Sequence, residues 1–302
     1  MENYIIGSTL KEYRTRLNIS QEELCFDLCA VSTLSRIESG DRVPGRKLLE
    51  ALFSRMGINK SVSITKIDFQ RENLEYKIND MIATGKFEIF DLLEEYKECD
   101  DTMSPLEEQF YLFYKTMSED FFNHNSEKAL KNYETALKMS IKNYELGKLP
   151  DARLLTKTEL LILNNISRTL YFLGQKTEAI ELMEFLRIYF EKGIMGEEEK
   201  AKNYHVILFN LENWYGLRGE KGDYEKALNF CDIAIDVCIQ NGKLSLFPFH
   251  VFNKGCMLVK LGKTEEGKIF LNDSFVILRQ MKKNEDVEFG KKWLKKNLNL
   301  EL

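Results

Sequence analysis

Apolar residues return every three or four positions through most of the chain, and no run alternates with the two-residue rhythm of a strand. Ile6, Leu10, Tyr13 and Leu17 predict a first amphipathic helix, with Lys11, Arg14 and Arg16 between them. Ser20 and Glu23 stand at capping-box spacing and open a second helix that turns Leu24, Cys25 and Leu28 inward. A tight turn at Cys29, Ala30 and Val31 leads into a third helix over residues 32–39. There Leu34 and Ile37 share one side, which leaves Ser32, Thr33, Ser35 and Arg36 on the other. Gly40 suits the left-handed conformation that ends a helix. Pro44 breaks the chain before a fourth helix carrying Leu48, Leu49, Leu52, Phe53 and Met56.

Short hydroxyl side chains beside one arginine suit a helix laid in the major groove of DNA. They approach base edges closely, and a guanidinium pairs with two acceptors on guanine. Charge changes this picture in one respect. The net charge of −5 is unevenly spread: residues 1–60 hold nine Lys/Arg against eight Asp/Glu, and the remainder holds thirty-four against forty. DNA affinity must therefore come from where the few positive charges sit, and from having two copies.

After residue 62 the pattern changes. Residues 63–70 read as a linker, and residues 71–302 as long helices interrupted by a recurring punctuation. The copies begin at Gly85, Asn125, Gly174, Gly222 and Gly262, and reach their small or apolar position at Phe90, Ala129, Ala179, Ala227 and Gly267. Only four prolines (Pro44, Pro105, Pro150 and Pro248) interrupt 302 residues, which favours long helices. The expected fold is all-α: an N-terminal helix-turn-helix domain (1–62), then a right-handed tetratricopeptide-like α-solenoid with a capping helix around Trp293. Such stacking leaves a concave surface built from the first helix of each pair, a natural groove for an extended peptide. Asn164, Asn210 and Asn253 recur on these helices. An asparagine amide offers donors and an acceptor, and so can clamp a peptide backbone. Arg168, one turn after Asn164, can meet a carboxylate, and Tyr171, Phe249 and Phe252 can line side-chain pockets. The aromatic stripe of Phe110, Tyr111, Phe113, Tyr114, Phe121 and Phe122 reads as packing.

The run LNISQEEL (17–24) followed by VSTLSRIESGDRVP (31–44) resembles the Cro/repressor-type helix-turn-helix. The LSRIESG stretch is similar to the version found in peptide-pheromone-sensing transcription regulators of the PlcR and Rgg type. By that resemblance Gln21 would bind a DNA phosphate, and Ser32, Thr33, Ser35 and Arg36 would face bases or phosphates. Arg42 and Arg46 would flank the backbone. The resemblance also implies that inner-helix amides hold a signalling peptide, at the same three asparagines.

Other chemistries are not signalled. His124, His205 and His250 lack partners at ligand or triad spacing, and no glycine-rich phosphate loop lies between a strand and a helix. Six cysteines without metal-type spacing fit a reduced compartment; Cys25 and Cys29 lack a second pair to complete a zinc site. No enzyme activity, metal or cofactor is expected. No leader and no apolar run near eighteen residues is present, which predicts a cytoplasmic protein that does not enter a membrane. The expected partners are double-stranded operator DNA, a short signalling peptide and a second copy of the chain in a homodimer (quorum sensing). Two alternatives stay open: a ligand-independent repressor whose repeats only dimerise it, and a protein-interaction adaptor.

Overall fold

A computed structural model describes residues 2–58, 66–100, 102–151, 154–193, 196–219 and 221–302, which hold fifteen α-helices and no strand. They form two compact units, Met1–Gly196 and Glu197–Leu302.

The first unit begins with α1 (Glu2–Arg16), α2 (Gln21–Cys25), α3 (Val31–Glu38) and α4 (Arg46–Arg55). Leu10, Leu24, Leu34, Ile37, Leu49, Leu52 and Phe53 meet in one core, with Ile6, Tyr13 and Leu28 packed against it. Each such side chain contributes about 1.5–3 kcal/mol by leaving water. Leu17 does not join them: α1 ends at Arg16, and Leu17 is 48% exposed. The second helix begins as expected, with Ser20 accepting from the Glu23 amide and Glu23 reaching back to the Ser20 amide. It stops after five residues because Phe26 turns out of the helix at φ −45°, ψ 121° and Asp27 follows in the left-handed region at φ +56°. The Arg55 guanidinium donates to Leu24 O at 3.1 Å and Phe26 O at 2.5 Å. Leu28 therefore enters the core from a turn rather than from a helix. Gly40, at φ +83°, follows α3 in the left-handed region.

Three helix pairs complete the first unit: α5 (Lys66–Ala83) with α6 (Phe90–Glu98), α7 (Pro105–Asn123) with α8 (Ser126–Lys138), and α9 (Lys157–Phe172) with α10 (Lys176–Glu191). Of the expected linker, residues 63–65 lie outside the described residues, and α5 already starts at Lys66. The second unit has α11 (Glu197–Arg218) with α12 (Lys221–Asn241), α13 (Phe247–Lys260) with α14 (Thr264–Gln280), and α15 (Asn284–Leu298).

Each punctuation in the sequence opens the second helix of a pair. Ala129, Ala179, Ala227 and Gly267 are all buried where that helix meets its partner. The tightest crossing is α13 on α14. A Cβ on Gly255 would lie 2.9 Å from Gly267 O, and one on Gly267 would lie 2.7 Å from Gly255 O, so two backbones touch there. In the first copy Phe90 stands at the small position and is partly exposed instead. The aromatic stripe of α7 is packing at Phe110, Phe113 and Tyr114. Phe121 and Phe122, at its end, are half exposed, and Phe121 stacks on Phe87 at 4.2 Å.

The fourth helix of the N-terminal unit packs on α7 and α9. Arg55 Nη2 lies 3.4 Å from Glu159 Oε1, both side chains being fully buried, and Ser54 Oγ accepts from the Lys157 amide at 2.8 Å. Nearby, Glu75 of α5 receives Arg46 at 2.6 Å, Lys47 at 2.7 Å and the Tyr96 hydroxyl at 2.8 Å. Burial alone would raise the Glu75 carboxyl, but Lys47 and Arg46 outweigh it and hold the group at about 2. Glu107 and Glu159 each close a capping box, with Ser104 and Thr156, while also receiving a buried arginine, Arg71 and Arg55 respectively.

Candidate functional site

Helix α3 is anchored from behind by Leu34 and Ile37, both buried, and turns Ser32, Ser35 and Arg36 to solvent with Thr33 half-buried beside them. The electrostatics of this face are set by Glu38. Its carboxylate is buried and fully engaged: Arg14 donates to it at 2.6 and 2.9 Å, and Gln21 Nε2 at 2.8 Å. The Arg14–Glu38 hydrogen bond is the chief cause that raises the Arg14 guanidinium. With Glu38 taken, Arg36 has no side-chain partner among the described residues and extends its charge freely. Gln21 keeps one amide N–H of its two for another acceptor.

Arg42 is exposed and donates to the Thr33 hydroxyl at 3.3 Å, so the loop after α3 lays a second cation beside the first. Arg46 is different. It is 2% exposed and its guanidinium is committed to Glu50 at 2.5 Å and Glu75 at 2.6 Å. Freeing it for a phosphate would leave buried Glu75 and half-buried Glu50 to share Lys47, so Arg46 is not carried forward as a contact to the DNA backbone.

In the repeats of the first unit, Asn164, Arg168 and Tyr171 fall on one face of α9 by helical spacing. Arg168 is exposed, Asn164 and Tyr171 are half-buried, and Lys176 Nζ lies 5.5 Å from the Tyr171 ring centre.

In the second unit, Phe249, Phe252 and Asn253 of α13 line a cavity of about 330 Å³. Asn210 of α11 is half-buried and lies outside that lining; its neighbours Phe209, Glu212 and Asn213 are in it. Phe275 of α14 and Phe289 and Trp293 of α15 complete the aromatic wall. Trp293 packs edge-on against Phe252, with ring centres 6.0 Å apart, so the last helix closes the cavity as well as the array. Asn253 is not a free clamp. Its Nδ2 donates to Glu212 Oε1 at 2.7 Å, and His250 Nδ1 lies 2.9 Å from the same oxygen. Burial, reinforced by Glu212, pushes the Cys231 thiol well above its ordinary value. Sequence reasoning missed Glu212 and Asn213, and took Trp293 only as the centre of the capping helix. A signal was present in the spacing of Phe209, Asn213 and Gly216 on one helix face, which continues the stripe toward Leu217.

No helix among the described residues is long and apolar enough to cross a membrane. Residues 10–61 match the helix-turn-helix family model. No curated protein sequence matches the chain. The PlcR protein of Bacillus thuringiensis, solved with the peptide PapR7 and DNA, is 19% identical, with a TM-score of 0.57 over 93% of this chain and 98% of that one. Its apo form gives 16% identity and a TM-score of 0.58 over 95% and 98%. Aspartyl phosphate phosphatase F of Bacillus subtilis gives 14% identity and a TM-score of 0.52 over 97% of this chain and 69% of that one. The chain is thus an all-helical protein that joins a helix-turn-helix unit to tetratricopeptide-like repeats, in a fold it shares with PlcR.

Proposed function

We propose that this protein is a sequence-specific DNA-binding transcription regulator, active as a homodimer in the cytoplasm and controlled by a short signalling peptide held by its repeats. The carrying observation is the outer face of α3, where Arg36 is left unclaimed because Arg14 and Gln21 already occupy Glu38. A short-side-chain surface with a free guanidinium matches what the major groove offers. Thr33, Ser32, Ser35, Arg42 and the second N–H of Gln21 are assigned to bases and phosphates around it. Few cations are available to one copy, so two copies about 34 Å apart on a two-fold operator supply the affinity.

The peptide reading draws on the repeats. Asn164, Arg168 and Tyr171 offer mixed polar and aromatic contacts on α9, and Phe249, Phe252 and Asn253 line a cavity in the second unit. PlcR, whose fold the chain shares, was solved with a peptide and with DNA. The site is assigned to binding rather than to catalysis. A gel shift of the full chain on genomic fragments, with and without synthetic peptides encoded by neighbouring reading frames, tests both halves. The expected result is retention of one fragment class and a peptide-dependent change in it. Uniform binding to all fragments overturns the regulator reading, and indifference to every peptide overturns peptide control.

A further inference from the structure

The cavity of the second unit carries a chemistry that a purely apolar side chain does not require. Glu212 lines it and is fully buried. One carboxylate oxygen receives Asn253 and faces His250. The Cys231 thiol, a weak donor, is the other group close to the carboxylate, and Oε2 has no N–H or O–H donor among the described residues. A dry carboxylate oxygen costs free energy that a ligand's donor would recover. Aromatic rings surround it, and ring faces carry negative potential that attracts a cation. Asp286 adds a second carboxylate to the lining. The lining's one cation among the described residues is Lys260, and its ammonium is already given to Gly216 O at 2.6 Å and lies 4.8 Å from the Tyr224 ring centre. Outside the lining, Lys283 Nζ lies 5.2 Å from the Phe249 ring centre, so one face of that ring already has a cation. What the cavity offers a guest is therefore the Glu212 and Asp286 carboxylates and the π faces of Phe252 and Trp293.

We propose that this cavity is a specificity subsite for an ammonium group of the bound peptide, set against Glu212 and walled by Phe252 and Trp293. The proposal rests on the peptide-binding reading above and gives it a chemical rule: the signalling peptide presents a lysine side chain or its free amino terminus here. A volume of about 330 Å³ lies at the small end of ligand pockets, room for one or two residues rather than a whole peptide.

The test is calorimetric titration of the full chain with four short probes: acetyl-Phe-Lys-amide, Phe-Gln-amide with a free amino terminus, acetyl-Phe-Gln-amide and acetyl-Phe-Glu-amide. An ammonium-bearing probe should bind about ten-fold tighter than the neutral and acidic ones, the ratio that a cation–π contact and a charge-assisted hydrogen bond supply together. Which of the first two binds tells side chain from terminus. Glu212→Gln should erase the preference; where that variant does not fold, the four-probe comparison on the unaltered chain decides. Equal binding of all four, or preference for the acid, overturns the proposal even if peptides still change DNA retention in the gel shift. An ammonium preference in a chain whose DNA binding ignores peptides upholds the cavity's chemistry and counts against the regulatory reading instead.

Discussion

Arg55, at the last turn of α4, and Glu159, in the first turn of α9, face each other at 3.4 Å with no solvent exposure on either side chain. The same guanidinium ties down the carbonyls that end α2. Arg55→Ala strands a buried carboxylate and frees two carbonyls, and should cost about 3–5 kcal/mol. Replacing both residues by apolar ones of similar volume should cost less than the single change. Urea midpoints of the three proteins check this, and a milder effect for Arg55→Ala than for the double variant would refute it.

Arg36→Ala removes an exposed side chain with no partner among the described residues, so the thermal midpoint should stay where it is. Operator affinity should fall by about 1–3 kcal/mol if the guanidinium pairs with a base, and discrimination at that base should relax. Arg46→Ala should behave in the opposite manner, lowering stability through Glu75 and Glu50. Competitive gel shifts and thermal melts on both variants separate the two roles.

The α13–α14 crossing gives a steric prediction. Gly255→Ala pushes a methyl against Gly267 O and Leu271, and Gly267→Ala pushes one against Gly255 O and Val259. Backbone cannot yield as a flexible side chain does, so each change should destabilise the second unit by about 1–3 kcal/mol. Hydrogen exchange of α13 and α14 amides should rise in each variant.

His205 sets a pH window. Burial above all, then the nearby charges of His250 and Lys243, lower its pKa from 6.5 to about 4. The folded chain therefore binds fewer protons than the unfolded chain between those values. Stability from this source is complete above pH 6.5 and falls as the pH drops toward 4, by on the order of 2 kcal/mol. Glu75, held at about 2, acts with the same sign in a lower range: its stabilisation is complete above 4.5 and is lost as the pH falls from there toward 2. Urea midpoints measured across the first window should slope in the wild type and flatten in His205→Leu.

Much of this was legible in sequence because it rests on local periodicity. Leu34 and Ile37, three apart, fixed which side of α3 is buried, and the Ala129, Ala179 and Ala227 positions marked helix starts that the structure repeats. What escaped was set by contacts far apart in the chain. Nothing near residue 46 indicates that Glu75 will claim Arg46, and nothing near residue 24 indicates that Arg55 will reach the Leu24 carbonyl. Glu212 escaped for the same reason, since a glutamate on a helix reads as a solvated face until α13 brings Asn253 and His250 against it.

Of the arginines in the N-terminal unit, Arg14, Arg46 and Arg55 are spent on Glu38, Glu75 and Glu159. Each cation kept at home is one counterion that a duplex does not release on binding. A single copy would therefore hold arbitrary DNA loosely, with a shallow dependence on ionic strength, and leave it quickly. Selectivity then has little nonspecific grip to overcome.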